Sequence, residues 1–265
     1  MRVRYLSHLI PDGELEEILK EETEIGLETI EFSIGENLDR GSASAADYGS
    51  RMQRYIQDRP FSVHGPFLDL NPGSFDSLIR EATMKRFRQA YEIARRLRAD
   101  RIIFHTGFIP ATCFEIGWPQ KAAEFWKCFL DQTDGSVSVH LENVMDLHWE
   151  VMRTILDTVD CPYFTACLDI GHIHVFSGQD PEEWIAGIGE RIGHLHLHDN
   201  RGKKDSHLAL GDGDIPWIRV WEAIRKYCPN AAATIENNSA LDLKKSLDFM
   251  KLLSADPSSG SKKIG

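Results

Sequence analysis

Apolar residues along the chain return in two alternating rhythms. Short runs rich in β-branched and aromatic residues, at 3–7, 29–33, 61–64, 101–105, 137–142, 164–169, 192–198 and 231–236, read as strands. Between them the apolar positions recur at helical spacing over 12–25, 43–57, 75–98, 119–132, 146–158, 181–188, 216–227 and 239–253. The stretch 75–98 is the clearest: Ile79, Ala82, Phe87, Ala90, Ala94 and Leu97 form one stripe, with Arg80, Arg88, Arg95 and Arg98 turned away. Pro119 and Pro181 suit first-turn positions, and Ser239 with Asp242 has the form of a capping box.

Strand–helix alternation of this kind, at a length where about 250 residues is usual, predicts a (β/α)8 TIM barrel. A single domain is expected over residues 1–253, and 254–265, rich in Ser, Gly and Lys, reads as a disordered C-terminal tail. The rival, an open doubly wound sheet, calls for a glycine fingerprint after the first strand. Ser7-His8-Leu9-Ile10-Pro11 carries none.

Composition narrows the setting. Of 265 residues, 41 are acidic and 30 basic, for a net charge of −11, which argues against general nucleic-acid affinity because phosphate binding needs clustered cations. No apolar run approaches the roughly 20 residues that span a bilayer. The opening Met1-Arg2-Val3-Arg4 lacks the shape of a signal peptide. The 5 cysteines form no C-x-x-C pair, so a reducing cytoplasm is expected.

The chemistry is suggested by what ends each strand. His64, His105, Glu142, Asp169 and Glu236 close successive runs, His172 follows Asp169 by three residues, and His194, His196 and His198 share one side of the seventh. In a barrel these ends meet at one mouth. Taken singly, a strand-end histidine is more often a hydrogen-bonded structural residue. Glu142 and Glu236 follow apolar runs where an unpaired carboxylate is costly, and no Lys or Arg stands on a neighbouring strand end. A cation would serve both. The three histidines of the seventh run sit at different depths, and His196 is favoured as the one that reaches it. Mixed His, Asp and Glu donors without thiolate suit Mn2+, Zn2+, Co2+ or Mg2+. Asp205 and His207 add a D-x-H pair in the loop that follows. His8, Glu31, Phe67, Phe108, Trp118 and Trp149 are candidates for shaping specificity.

At Val63-His64-Gly65-Pro66-Phe67, Phe104-His105-Thr106-Gly107, Leu141-Glu142-Asn143-Val144, Leu168-Asp169-Ile170-Gly171-His172, His196-Leu197-His198-Asp199-Asn200 and Ile235-Glu236-Asn237 the chain resembles the xylose isomerase-like barrels. These include sugar isomerases and epimerases and the endonuclease IV family of abasic-site nucleases. For the sugar enzymes the resemblance implies that Glu142, Asp169, His196 and Glu236 hold one divalent metal, with Glu142 and Glu236 as acid and base. For the nucleases it implies additional ligands at His64, His105 and His172 and in the loop Asp205-Ser206-His207-Leu208-Ala209-Leu210-Gly211, making a site for three zinc ions.

The expected activity is therefore isomerisation or epimerisation of a small sugar. A proton would be abstracted alpha to a carbonyl, through a metal-stabilised enediolate, with one to three ions bound. The alternative is an abasic-site DNA endonuclease with a zinc cluster. The obvious basic run, Lys85 to Arg98, falls on an outer helix, and only Arg201, Lys203 and Lys204 lie in a mouth loop, so nucleic acid is not the favoured partner. A metal-binding barrel without catalysis would be missing an acid/base group, and both glutamates are present. A homo-oligomer is left open.

Overall fold

A computed structural model describes residues 2–255. Eight strands, β1 (Arg2–Ser7), β2 (Gly26–Thr29), β3 (Phe61–His64), β4 (Arg101–His105), β5 (Ser138–Glu142), β6 (Phe164–Asp169), β7 (Ile192–Leu197) and β8 (Ala232–Ile235), pair in chain order into a closed parallel barrel. The ring closes where β8 returns to β1, with Val3 opposite Ala233 and Leu6 opposite Ile235. Around it run α1 (Asp12–Glu21), α2 (Gly35–Arg40), α3 (Ser42–Ile56), α4 (Ser77–Arg96), α5 (Trp118–Leu130), α6 (Trp149–Val159), α7 (Ile170–Phe176), α8 (Pro181–Ile188), α9 (Trp217–Tyr227) and α10 (Ala240–Ala255). The expected single (β/α)8 barrel is the fold. No helix of the described residues is long and apolar enough to cross a membrane.

Several local expectations need correction. The second strand is Gly26–Thr29 rather than 29–33: Thr29 ends the ladder and the chain turns at Ile30, whose carbonyl accepts from the Ser33 backbone N–H. The first helix stops at Glu21. Two short helices, α2 and α7, were not expected, because six or seven residues hold too little of a period to be read. Of the expected stripe on α4, Phe87, Ala90 and Ala94 are buried, Ile79 and Ala82 are exposed, and Leu97 is half-buried. Pro119, Pro181 and the Ser239–Asp242 cap stand as expected. Helix α10 takes in Ser254 and Ala255, the first two positions assigned to a tail; the remainder of that segment lies outside the described residues.

Packing between strands and helices is aromatic. Phe87 of α4 stacks on Phe104 of β4 at 4.2 Å, and Trp126 and Phe129 of α5 close around them. The inside of the barrel is different. Layers of Val, Ile and Leu usually fill such a barrel, yet here Glu28, Ser62, His140, His194 and Thr234 are all buried.

Candidate active site

The mouth is assembled by strand register. His105 pairs with Glu142 across β4 and β5, and Asp169 pairs with His196 across β6 and β7. The β6–β7 register shifts by one residue, with Ala166 opposite Ile192 and Cys167 opposite His194, so Gly193 is the extra residue of a bulge in β7 ahead of His196. Three asparagines clip the loops. Asn143 accepts from the Asp169 backbone N–H and donates to its carbonyl, Asn200 donates to Gly171 O, and Asn237 donates to His207 O and Leu208 O. Asp199 accepts from Gly211 N, Ile215 N and Trp217 Nε1, and its backbone pairs with Leu208. That folds the long loop after β7 back over the mouth and delivers Asp205 and His207. His207 takes a φ of 47°, in the left-handed region that few non-glycine residues occupy.

The nine candidate ligands, His64, His105, Glu142, Asp169, His172, His196, Asp205, His207 and Glu236, lie together at the mouth. His196 Nδ1 lies 3.3 Å from Glu142 Oε1, 3.5 Å from Glu236 Oε1 and 3.9 Å from Asp169 Oδ2. Fully buried, this nitrogen has no hydrogen-bond partner. His64 and His105 approach Glu142 Oε2 at 3.2 and 3.6 Å. On the other side, His172 Nε2 and His207 Nε2 stand 3.4 and 3.1 Å from Asp205 Oδ2.

The ring orientations carry more information than the distances. His64, His172 and His207 each donate Nδ1–H to a backbone carbonyl, of Gly65, Asn143 and Glu236, at 2.9, 3.0 and 3.1 Å. In a neutral ring that leaves Nε2 as a lone pair, and each Nε2 faces a carboxylate. Two acceptors face each other unless a proton or a cation stands between them. Histidines that bind metal are held in this manner, by one nitrogen to a carbonyl or carboxylate. The orphaned His196 Nδ1, His198 Nδ1 and Asp205 Oδ1 fit the same account. A candidate metal-binding cluster is thus present.

Electrostatics agree. Burial works against charge on both His172 and His196; Asp169, Asp205 and Glu142 raise His172 well above the ordinary imidazole value, and Cys167 followed by Glu236, Glu142 and Glu28 does the same for His196. Burial also opposes charge on His207, but its bond with Asp205 lifts it to about 9. His105 differs: burial lowers it to about 3, and it stacks flat on Phe67 at 4.5 Å. The two glutamates diverge as well. Burial raises Glu236, whereas His196 and His105 overcome burial at Glu142 and hold it well below the usual carboxylate range.

Three residues escaped the sequence reading. His198, set aside in favour of His196, lies 3.1 Å from Asp169 Oδ1 and stacks on His207 at 3.9 Å. Cys167 approaches within 4.8 Å of the His194 and His196 nitrogens, but burial pushes its thiol up and keeps it protonated, a poor ligand. Glu28, in the middle of β2, comes within 2.9 Å of His196 Nε2; it was hidden because the strand was expected three residues later. A cavity of about 510 Å³ opens above the cluster, lined on one side by Phe67, Phe108, Ile109, Val144 and Met145. His8 and Glu31 line an adjoining cavity. Trp118 and Trp149 do not line the cavity above the cluster: Trp118 packs behind Phe108 and against Gly73 of the loop after β3, and Trp149 packs against Gly187 of α8.

The profile of a family described as xylose isomerase-like TIM barrel matches residues 19–253. Protein MJ1311 of Methanocaldococcus jannaschii, itself uncharacterized, is 31% identical over 209 residues, covering 71% of this chain and 68% of its own length. The solved structure of the TTHB071 protein from Thermus thermophilus, soaked with ZnCl2, is 28% identical, covers 96% of this chain and 98% of its own, and has a TM-score of 0.78. A D-psicose 3-epimerase from Clostridium cellulolyticum, solved with D-tagatose, shares the fold at a TM-score of 0.73, with 16% identity over 96% of this chain and 99% of that one.

Proposed function

Given that the chain belongs to the xylose isomerase-like TIM barrel family, we propose that it is a divalent-metal-dependent isomerase or epimerase of a small sugar or sugar derivative. The observation that carries this reading is the unpartnered His196 Nδ1 ringed by Glu142, Asp169 and Glu236. These four residues would hold the ion, of Mn2+, Zn2+, Co2+ or Mg2+ type. His64 and His105 on one flank, and His172, Asp205 and His207 on the other, supply donors for up to two more. When bound, the cation supplies Lewis-acid polarisation of a carbonyl and its neighbouring hydroxyl, which acidifies the carbon-bound proton beside them.

The protein's own groups do the rest. Glu142 and Glu236 approach the same nitrogen from strands well separated around the ring, so a carbon seated between them meets one carboxyl on each face. One removes the proton and the other returns one to the opposite face, which inverts the centre; return from the same side to the adjacent carbon gives isomerisation. Phe67, Phe108 and Met145 exclude water from the reacting side of the sugar. The fold likeness to a D-psicose 3-epimerase supports a ketose as substrate.

The abasic-site nuclease shares the ligand positions, but the mouth does not favour a polyanion. Asp69, Glu142, Asp205 and Glu236 line the cavity, and among the described residues no Lys or Arg does. Incubation of the metal-loaded protein with ketoses in deuterated water tests the proposal. Deuterium should enter at the exchanging carbon. Absence of label from every ketose, alongside cleavage of abasic duplex DNA, would establish the nuclease instead.

A further inference from the structure

Beneath the cluster a chain of polar side chains crosses the barrel interior, and its direction can be read. Arg101 Nη1 donates to His194 Nδ1 at 2.9 Å, which places the His194 proton on Nε2. That nitrogen meets Thr234 Oγ1 at 2.8 Å, and Thr234 in turn donates to Glu28 Oε2 at 2.9 Å. Ser62 Oγ donates to the same oxygen at 2.9 Å. Every proton therefore points towards Glu28, which is fully buried. Its other oxygen, Oε1, lies 2.9 Å from His196 Nε2, a close polar approach that is not aligned as a hydrogen bond, and neither atom has a hydrogen-bond partner elsewhere. Packing gives no reason for a carboxylate there, and burying one is costly unless neighbours compensate.

We propose that Glu28 is a positioning residue: it takes the Nε2 proton of His196 and thereby turns the Nδ1 lone pair towards Glu142, Asp169 and Glu236. The inference rests on the reading of His196 as a metal ligand. Ser62, Thr234 and His194, drawn from β3, β8 and β7, hold the carboxylate in place from below. They account for the histidine of the seventh strand that does not reach the mouth. Thr234 also stands directly opposite His196 in the β7–β8 register, so the support and the ring it supports are fixed by the same ladder.

The test uses Co2+ alone as the probe, on the full chain stripped of metal, with affinity read by competition against a chelating dye. Glu28→Gln, nearly isosteric, should weaken Co2+ binding by about 10–100-fold, the range for loss of a metal-orienting partner. It should also alter the visible Co2+ spectrum, which a merely structural residue would leave unchanged. Thr234→Val, which removes one support of the carboxylate without touching His196, should shift affinity the same way by less. His196→Ala is the reference. If His196→Ala loses Co2+ while Glu28→Gln keeps wild-type affinity and spectrum, the positioning role is overturned and the metal site stands. If His196→Ala also binds as wild type, the metal reading falls and takes this inference with it. Should Glu28→Gln fail to fold, unchanged affinity in Thr234→Val overturns the proposal.

Discussion

Gly171 stands in the second position of α7, where alanine would ordinarily stabilise a helix by close to 1 kcal/mol. The structure predicts the opposite sign. A Cβ at this position would lie 2.0 Å from His198 Cε1, 2.4 Å from Nδ1 and 2.5 Å from Nε2. Non-bonded carbons settle near 3.5–4.0 Å, so the ring would have to retreat by about 1.5–2 Å. It has nowhere to go: His198 is fully buried, held by Asp169 at 3.1 Å and stacked on His207 at 3.9 Å. Overpacking of this kind costs about 1–3 kcal/mol. At roughly 2–4 °C per kcal/mol for a domain this large, Gly171→Ala should lower the Tm by about 2–12 °C. Because the displaced ring belongs to the Asp169, His172 and His198 group, affinity for added Zn2+ should fall too. Thermal unfolding with and without Zn2+ checks both effects. A variant as stable as wild type, or more so, would show that the contact between α7 and the ring is not as close as described.

Three further outcomes follow from the site. Metal-stripped protein given a cation at a hundred times its Kd should gain about 2.7 kcal/mol, a Tm rise of roughly 5–11 °C; no rise with any of Mn2+, Co2+, Zn2+ or Mg2+ would leave the cluster without an ion to hold. Glu142→Gln and Glu236→Gln should each lower kcat by at least about 10²–10⁴ while retaining the far-ultraviolet circular dichroism of the barrel, and near-wild-type turnover in either would remove that residue from the acid/base pair. Burial raises the Asp146 carboxyl from 3.8 to about 6, so the unfolded chain gives up this proton first. The group's contribution is then whole below about pH 4 and falls as pH rises through 6, by about 3 kcal/mol at 1.36 kcal/mol per pKa unit. Asp146→Asn should spare the protein that loss between pH 4.5 and 7, and parallel unfolding profiles for the two proteins would refute the assignment.

The barrel and the rim of its site could be read from the chain because both depend on where apolar runs stop. A strand buried on both faces shows as an unbroken apolar stretch, and an ionisable residue at its end, such as Glu142 or Asp169, has no packing reason to be there. β2 defeats this reasoning. Its four residues, Gly26-Leu27-Glu28-Thr29, carry a charge in the middle, whereas Thr29-Ile30-Glu31-Phe32-Ser33 alternates more persuasively. The strand signal therefore slid three positions and took Glu28 out of view. His198 was missed for a related reason: pleat alone sets it at a different depth from His196, and only the Asp199–Leu208 bridge and the folded-back loop bring Asp205 and His207 to meet it. What the sequence hides is partnership across long separations. Glu28 is tolerable inside the barrel only because Ser62 and Thr234, 34 and 206 residues away, donate to it. Glu28 and His194 interrupt apolar runs where packing alone would place Leu or Val, and both belong to the set that faces His196. In a barrel of this kind a polar residue in mid-strand is therefore a pointer to whatever holds the ligands, just as one at a strand end points to the ligands themselves.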